Sequence, residues 1–271
     1  MLNYTADNLI YTIKESKIKM RKTILITGAT AGIGKAAAEI YAKNNFRLIL
    51  TGRREERLKS IKQELEEQYQ VEVLVLVFDV RERREVFQQI ENLPLAWKNI
   101  DVLLNNAGLA KGFSDIQDGN IEDWETMIDT NIKGLLYISK AIMPLMIAEG
   151  KGHIINIGSI AGKEVYAKGN IYCSTKHAVE GITKALRLDL LPHKIKVSAI
   201  CPGAVDTEFS TVRFDGDKER ADSVYNGYQP LLAQDVAEAI YFVTSRPFHV
   251  NINDLLIMPT AQANTSNLIR E

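Results

Sequence analysis

Apolar residues along the chain fall into two alternating patterns. Short unbroken apolar runs, the first at residues 23–27 (TILIT), are separated by longer stretches with helical spacing. Unbroken runs mark strands covered on both faces, which is the habit of parallel sheets. Seven such strands are expected, at residues 23–27, 47–50, 71–78, 100–104, 153–157, 195–200 and 255–258. Helices are expected at 35–44, 55–69, 81–92, 123–147, 171–191 and 234–244. This alternation implies an α/β fold, a doubly wound parallel seven-stranded sheet with helices on both faces and right-handed crossovers. No linker rich in Pro, Gly or Ser divides the chain. Residues 21–271 therefore read as one domain behind a short N-terminal arm, residues 1–20. The longest stretch without periodicity is 207–230, and loops of that length often serve as lids.

Charge narrows the function classes. The 271 residues carry 33 Lys+Arg against 34 Asp+Glu, a net charge of -1. A sequence-independent nucleic-acid binder needs a basic surplus, so no nucleic-acid partner is expected. The two cysteines, Cys173 and Cys201, make no disulfide framework and suit a reducing compartment, so a cytoplasmic protein is expected. His153, His177, His193 and His249 are scattered without metal-ligand spacing, and no metal is expected. No run approaches the ~20 apolar residues of a membrane span.

The first strand–turn–helix carries Gly28-Ala29-Thr30-Ala31-Gly32-Ile33-Gly34. Glycines there let main chain approach a pyrophosphate at a helix N-terminus, where free N–H groups meet the anion. The alternative is a plain tight turn. At the end of the second strand an acidic residue would bind the 2′-hydroxyl of NAD. The sequence instead has Thr51-Gly52-Arg53-Arg54. A guanidinium suits a 2′-phosphate, so NADP(H) is the expected cofactor, with Arg53 and then Arg54 as phosphate ligands. Asp79 closes the third strand. It has two compatible readings, a bond to the adenine amine with Val80 packed on the ring, or the N-cap of the helix from Arg81.

Tyr172-Cys173-Ser174-Thr175-Lys176 sets a phenol and an ammonium at i and i+4 on one helix face. A nearby cation favours phenolate, which makes the pair a workable acid/base for moving a proton on or off an alcohol. Alone the pattern is common. Ser159 changes its weight: it ends the fifth strand, where a hydroxyl faces the crevice at the switch point of the sheet. In the helix at 123–147, Asn131 and Gly134 are poor helix formers within one turn of each other. Asn there disturbs the ladder and leaves a carbonyl for water. Pro144 in the same helix reads as a kink.

The glycine motif, Asn105-Asn106-Ala107-Gly108, Asn131, Ser159, Tyr172-x-x-x-Lys176 and Pro202-Gly203 together resemble the short-chain dehydrogenase/reductase family, in its order and spacing. The resemblance implies a Rossmann-type sheet in strand order 3-2-1-4-5-6-7. It implies a tetrad of Asn131, Ser159, Tyr172 and Lys176. Tyr172 would exchange the proton and Ser159 would bond the substrate oxygen. Lys176 would hold the nicotinamide ribose and lower the Tyr172 pKa, and Asn131 would hold a water. It also implies cofactor contacts across Gly28, Thr30, Gly32, Ile33, Gly34, Asn106, Pro202, Gly203, Val205 and Thr207, and a homotetramer whose long helices pair. The sequence departs from the family at Ala31, where many NADP-preferring members carry a basic residue.

Beyond Thr207, the run Glu208-Phe209-Ser210-Thr211-Val212-Arg213-Phe214 is similar to the NADP-dependent 3-hydroxy acid dehydrogenases, which include serine 3-dehydrogenases. So are Ala107-Gly108-Leu109-Ala110-Lys111-Gly112 and the tail Met258-Pro259-Thr260-Ala261-Gln262-Ala263. This likeness implies a small hydroxy or oxo acid as substrate: serine, allo-threonine or 3-hydroxypropionate. A buried carboxylate needs a cation, and Arg213 is the expected ligand, with Lys111 as the weaker candidate. Tyr166 and Phe214 fit pocket wall and core equally well. Two other readings stay open: a 3-oxoacyl-thioester reductase of the same family, and a non-catalytic NADP(H) sensor.

Overall fold

The computed structural model describes residues 21–271; the arm at 1–20 lies outside them. Seven parallel strands form one sheet: β1 (Thr23–Ile26), β2 (Arg47–Gly52), β3 (Val73–Val77), β4 (Val102–Asn105), β5 (Gly152–Ile157), β6 (Ile195–Pro202) and β9 (Asp254–Ile257). Their spatial order is β3-β2-β1-β4-β5-β6-β9, the order that the family likeness implies. The order reverses at β1, which pairs with both β2 and β4. That reversal opens the crevice at the carboxyl ends of the strands.

The unbroken apolar runs have a direct structural cause. Successive side chains of a strand point to opposite faces, and both faces are covered. Ile24, Ile26, Leu48 and Leu50 face one core, with α1 (Gly32–Lys43), α2 (Glu55–Tyr69) and α9 (Ala233–Thr244). Leu25, Ile49, Leu103 and Ile154 face the other, with α3 (Arg83–Glu91), α5 (Leu135–Glu149) and α6 (Asn170–Asp189). Each fully buried Leu or Ile contributes about 1.5–3 kcal/mol. These two cores hold the strand ends, and hence the crevice, in place.

Three local expectations need correction. The helix expected from Arg81 starts at Arg83. Asp79 does not cap it: its Oδ1 accepts from the Arg81 N–H at 3.0 Å, in the turn ahead of the helix. The helix expected at 123–147 is α4 (Ile121–Ile128), a π-helical turn (Asp129–Gly134) and α5. Its interruption falls at Asn131 and Gly134, while α5 runs on through Pro144. The stretch 207–230 holds short regular elements: α7 (Glu208–Arg213) and α8 (Lys218–Ser223), beside a two-stranded parallel pair of β7 (Val205–Asp206) and β8 (Leu231–Leu232). Six-residue helices are too short to print a 3.6-residue period.

Candidate active site

The crevice is a cleft of about 830 Å³ that runs from the glycine-rich turn to α7 and α8. Gly28, with φ +66, and Gly34 shape its first wall. A Cβ on Gly34 would lie 2.4 Å from the Gly28 carbonyl oxygen, so that helix start accepts only glycine. The N-terminus of α1 has no side-chain cap and no acidic residue in its first turn. Its free N–H groups are therefore available to an anion. Thr30, Gly32 and Ile33 line the same wall, whereas Gly34 lies behind it as packing.

Asn106 also lines the cleft, but its side-chain amide donates to the Thr27 and Gly28 carbonyls at 2.9 and 3.2 Å. It ties the end of β4 to the glycine turn. Pro202, Gly203, Val205 and Thr207 line the cleft too, Thr207 beside Gly32 of the glycine turn. The tail that follows β9 supports them, since Gln262 Oε1 accepts from the Ala204 N–H at 2.9 Å.

The two arginines after β2 differ. Arg53 is largely exposed and makes one long contact, 3.5 Å to Asp79. Arg54 is engaged: Nε donates to Thr30 Oγ1 at 2.9 Å and Nη1 pairs with Glu208 at 2.8 Å. Arg53 is thus the freer guanidinium for a phosphate. Asp79 lines the cleft beside Val80, and the Arg81 guanidinium holds its Oδ2 at 2.7 and 3.0 Å. Burial pushes the Asp79 carboxyl up, but the bonds from Arg81, with Arg53 beyond, outweigh it and hold the group ionised below its ordinary range. An uncapped glycine turn, a largely exposed guanidinium and an acidic strand end together fit a dinucleotide phosphate chain with a phosphorylated ribose.

At the other end stand Ser159, Tyr172 and Lys176, all lining the cleft. Ser159 Oγ accepts from the Ala161 N–H at 3.0 Å, which fixes its rotamer as β5 ends. Lys176 is 6% exposed and donates from Nζ to the Ile157 carbonyl at 2.9 Å. Asn131 is buried beneath them. Its Oδ1 accepts from Leu109 N–H at 2.9 Å, and its Nδ2 donates to Leu109 O and Thr175 Oγ1 at 2.8 and 3.0 Å. Its side chain is therefore fully bonded, and the π-helical turn loosens the carbonyl ladder around it.

One electrostatic expectation is reversed. Spacing alone suggests that Lys176 draws the Tyr172 phenol down. Instead burial and the Tyr166 hydroxyl push that phenol up, against the Ser159 hydroxyl and the Arg213 guanidinium. Lys176 is itself lowered to about 8 by burial. Its Nζ lies 5.8 Å from the phenol ring centre and bonds a carbonyl, so its charge is poorly placed to hold a phenolate in this state.

Arg213 ends α7 and is half-buried among aromatic rings. Nη1 donates to the Tyr166 hydroxyl at 2.9 Å, and Nε to the Gly112 carbonyl at 3.3 Å. Its guanidinium carbon is 4.8 Å from the Phe113 ring centre and 6.0 Å from that of Tyr172. Among the described residues no carboxylate pairs with it. Lys111, the weaker candidate, forms an ion pair with Asp215. Sequence reasoning missed Phe113 and Phe209; the Phe209 ring lies 5.5 Å from that of Tyr172. It also left Tyr166 and Phe214 unassigned, and both line the cleft. Only the bond from Arg213 to the Tyr166 hydroxyl distinguishes that wall from core, and it joins segments 47 residues apart.

A family model described as short chain dehydrogenase matches residues 22–218. The chain belongs to the short-chain dehydrogenases. Among its relatives is a protein of Schizosaccharomyces pombe called NADP-dependent 3-hydroxy acid dehydrogenase. It is 45% identical over 251 residues, 92% of this chain and 97% of the relative. A second, from Chromohalobacter salexigens, is called sulfoacetaldehyde reductase 2, at 44% identity over 90% of this chain and 96% of the relative. A solved structure of the closed form of serine dehydrogenase complexed with NADP+ superposes with a TM-score of 0.86. It is 43% identical and covers 92% of this chain and 99% of that one. This short-chain dehydrogenase is an oxidoreductase, and among its described residues no helix is long and apolar enough to cross a membrane.

Proposed function

We propose that the enzyme oxidises the β-hydroxyl of small 3-hydroxy acids of the serine, allo-threonine and 3-hydroxypropionate type, or reduces the corresponding oxo acids. Its cofactor is NADP(H), in keeping with the NADP-dependent relatives and with a second strand that is followed by Arg53 rather than by a carboxylate. The acid substrate is supported above all by Arg213, a half-buried guanidinium beside the Tyr172 phenol that lacks an anionic partner among the described residues. An unpaired cation among aromatic rings favours an anion. Its closeness to the phenol suits a small acid, in which one carbon separates the reacting carbon from the carboxyl.

In this reading the bound cofactor supplies or accepts the hydride, and the chain handles the proton and the alignment. Ser159 donates to the substrate oxygen. Tyr172 gives its phenol proton to that oxygen in reduction, or takes the hydroxyl proton in oxidation. Lys176 bonds the nicotinamide ribose, and with its pKa lowered to about 8 it can pass a proton near neutral pH. Asn131 fixes the segment after β4 and leaves a main-chain carbonyl to hold water on the route to Lys176. Gly28, Thr30, Gly32 and Ile33 receive the pyrophosphate, with Gly34 allowing the close turn. Arg53 reads the 2′-phosphate while Arg54 braces Thr30. Asp79 and Val80 meet the adenine. Asn106, Pro202, Gly203, Val205 and Thr207 wall the nicotinamide side. A homotetramer belongs to the same reading, since Leu136, Leu188 and Leu191 are exposed on or next to the long helices α5 and α6. Two buried free thiols, Cys173 and Cys201, suit a cytoplasmic enzyme.

The test is a steady-state screen with NADP and NAD separately over serine, allo-threonine, 3-hydroxypropionate, sulfoacetaldehyde and a 3-oxoacyl thioester. The highest kcat/KM is expected for a 3-hydroxy acid with NADP. A thioester as the best substrate would overturn the assignment, and the absence of any turnover would favour a sensor.

A further inference from the structure

Glu208 lies at the start of α7, outside the tetrad and the glycine turn. Its carboxylate is shared by two guanidinia: Arg54 Nη1 at 2.8 Å, and Arg57 Nη1 at 2.7 and 3.0 Å. Arg57 is on α2 and does not line the cleft, whereas Arg54 and Glu208 do. Arg54 is in turn bonded to Thr30 of the glycine turn. A chain of charge-assisted bonds thus runs from the glycine turn, through the end of β2, to α7. The far end of α7 is pinned as well. Arg213 bonds Tyr166 and the Gly112 carbonyl, and its own carbonyl accepts from the Gly112 N–H at 3.2 Å. One six-residue helix therefore connects the adenosine end of the cleft to the catalytic end.

We propose that Glu208 is a positioning residue that latches α7 to the cofactor end of the cleft, through Arg54 and Arg57, and so slows the departure of the dinucleotide. Isolated exposed ion pairs contribute little. This carboxylate is held by two cations, one of them braced on Thr30, and both partners lie more than 150 residues away in the chain. Such a link constrains a loop rather than decorating a surface. Lid opening and product release limit turnover in many enzymes.

The latch acts on α7 and not on the 2′-phosphate, so it should hold NADPH and NADH alike. Arg53, by contrast, should matter for NADPH alone. The test is stopped-flow fluorescence of NADPH and of NADH binding to the full-length protein, without substrate, for the unmodified enzyme, Glu208→Gln, Arg57→Gln, the double variant and Arg53→Ala. Each single latch variant is expected to speed release of both nucleotides, by up to roughly five-fold in Glu208→Gln and less in Arg57→Gln, the reach of half-exposed ion pairs, with association unchanged. The double variant should release no faster than Glu208→Gln, which already removes both pairs, as expected for partners in one interaction. Unchanged release in both Glu208→Gln and Arg57→Gln would overturn the latch. So would tighter NADPH binding in Glu208→Gln alone, which would make Glu208 a competing anion. An effect confined to NADPH would overturn it too, because Glu208 would then only aim Arg54. A failure of Arg53→Ala to weaken NADPH would count against the phosphate reading and leave the latch comparison intact.

Discussion

On the floor of the cleft, Asn131 and Lys176, both buried, are held by hydrogen bonds to Leu109, Thr175 and the Ile157 carbonyl. In its cover, Glu208 and Asp215 are held by ion pairs that face water. The floor is built from ends of the main sheet and its packed helices, the cover from two six-residue helices. Buried bonds give one geometry, since a buried group left without its partner costs about 1–3 kcal/mol. Exposed pairs give ~0–1 kcal/mol and can exchange partners. Chemistry is thus placed on the rigid part, and substrate choice and cofactor retention on the part that can move.

The largest effect should come from the floor. Tyr172→Phe is expected to lower turnover by about 100- to 10,000-fold, the usual worth of a general acid/base, while NADPH binding measured by fluorescence stays intact. Near-normal turnover would remove Tyr172 from the chemistry. At the rim between floor and cover, Arg53→Ala should cut the preference for NADP over NAD by about 10- to 150-fold, from a charge-assisted bond of roughly 1.5–3 kcal/mol. A preference for NAD in the unmodified enzyme would contradict that role.

Next in size is an effect on the rigid sheet itself. His153 is buried at the start of β5, bonds Ser198 at 2.8 Å through Nε2, and has an unpartnered Nδ1. Burial, with Lys196 nearby, lowers its pKa to about 3. The unfolded chain therefore takes up this proton first as pH falls. Stability should be complete above the ordinary His pKa, ~6.5, and decline toward pH 3 at up to about 1.4 kcal/mol per pH unit. Urea melts at several pH values should show that slope, and His153→Gln should flatten it; an equal slope in both would refute the assignment. The smallest effect belongs to the cover. Asp215→Asn breaks the pair with Lys111 and should change stability by no more than ~1 kcal/mol. A loss of several kcal/mol in a thermal melt would show that the cover is as rigid as the floor.

The same division decides what the sequence discloses. The glycine turn and the Ser159, Tyr172, Lys176 constellation are legible, because close main-chain approach and one helix face impose fixed spacings, whereas the strand order comes only through the family resemblance. The break at Asn131 and Gly134 is legible too, through residues that fit a helix poorly. The sign of the Tyr172 shift is not, because i,i+4 spacing carries no information on burial or on where the Lys176 amine turns. Nor is the cover: α7 and α8 are too short for periodicity. The partners of Arg213 and Glu208 come from segments 47 to 154 residues away. Arg213 was readable as a cation that a carboxylate would need; Glu208 with Arg57 was not.

An anionic substrate held by Arg213 beside the Tyr172 phenol is the central element of the proposed function. The direct measurement is kcat/KM for 3-hydroxypropionate relative to its methyl ester, in the unmodified enzyme and in Arg213→Ala. Loss of one partner of a desolvated charge pair costs about 2–5 kcal/mol, so the ratio of acid to ester should fall by at least about 30-fold, while general damage to the cover cancels. An unchanged ratio would contradict the account: Arg213 would then brace the cover through Tyr166 and Gly112, and the enzyme would have no cation committed to an acid.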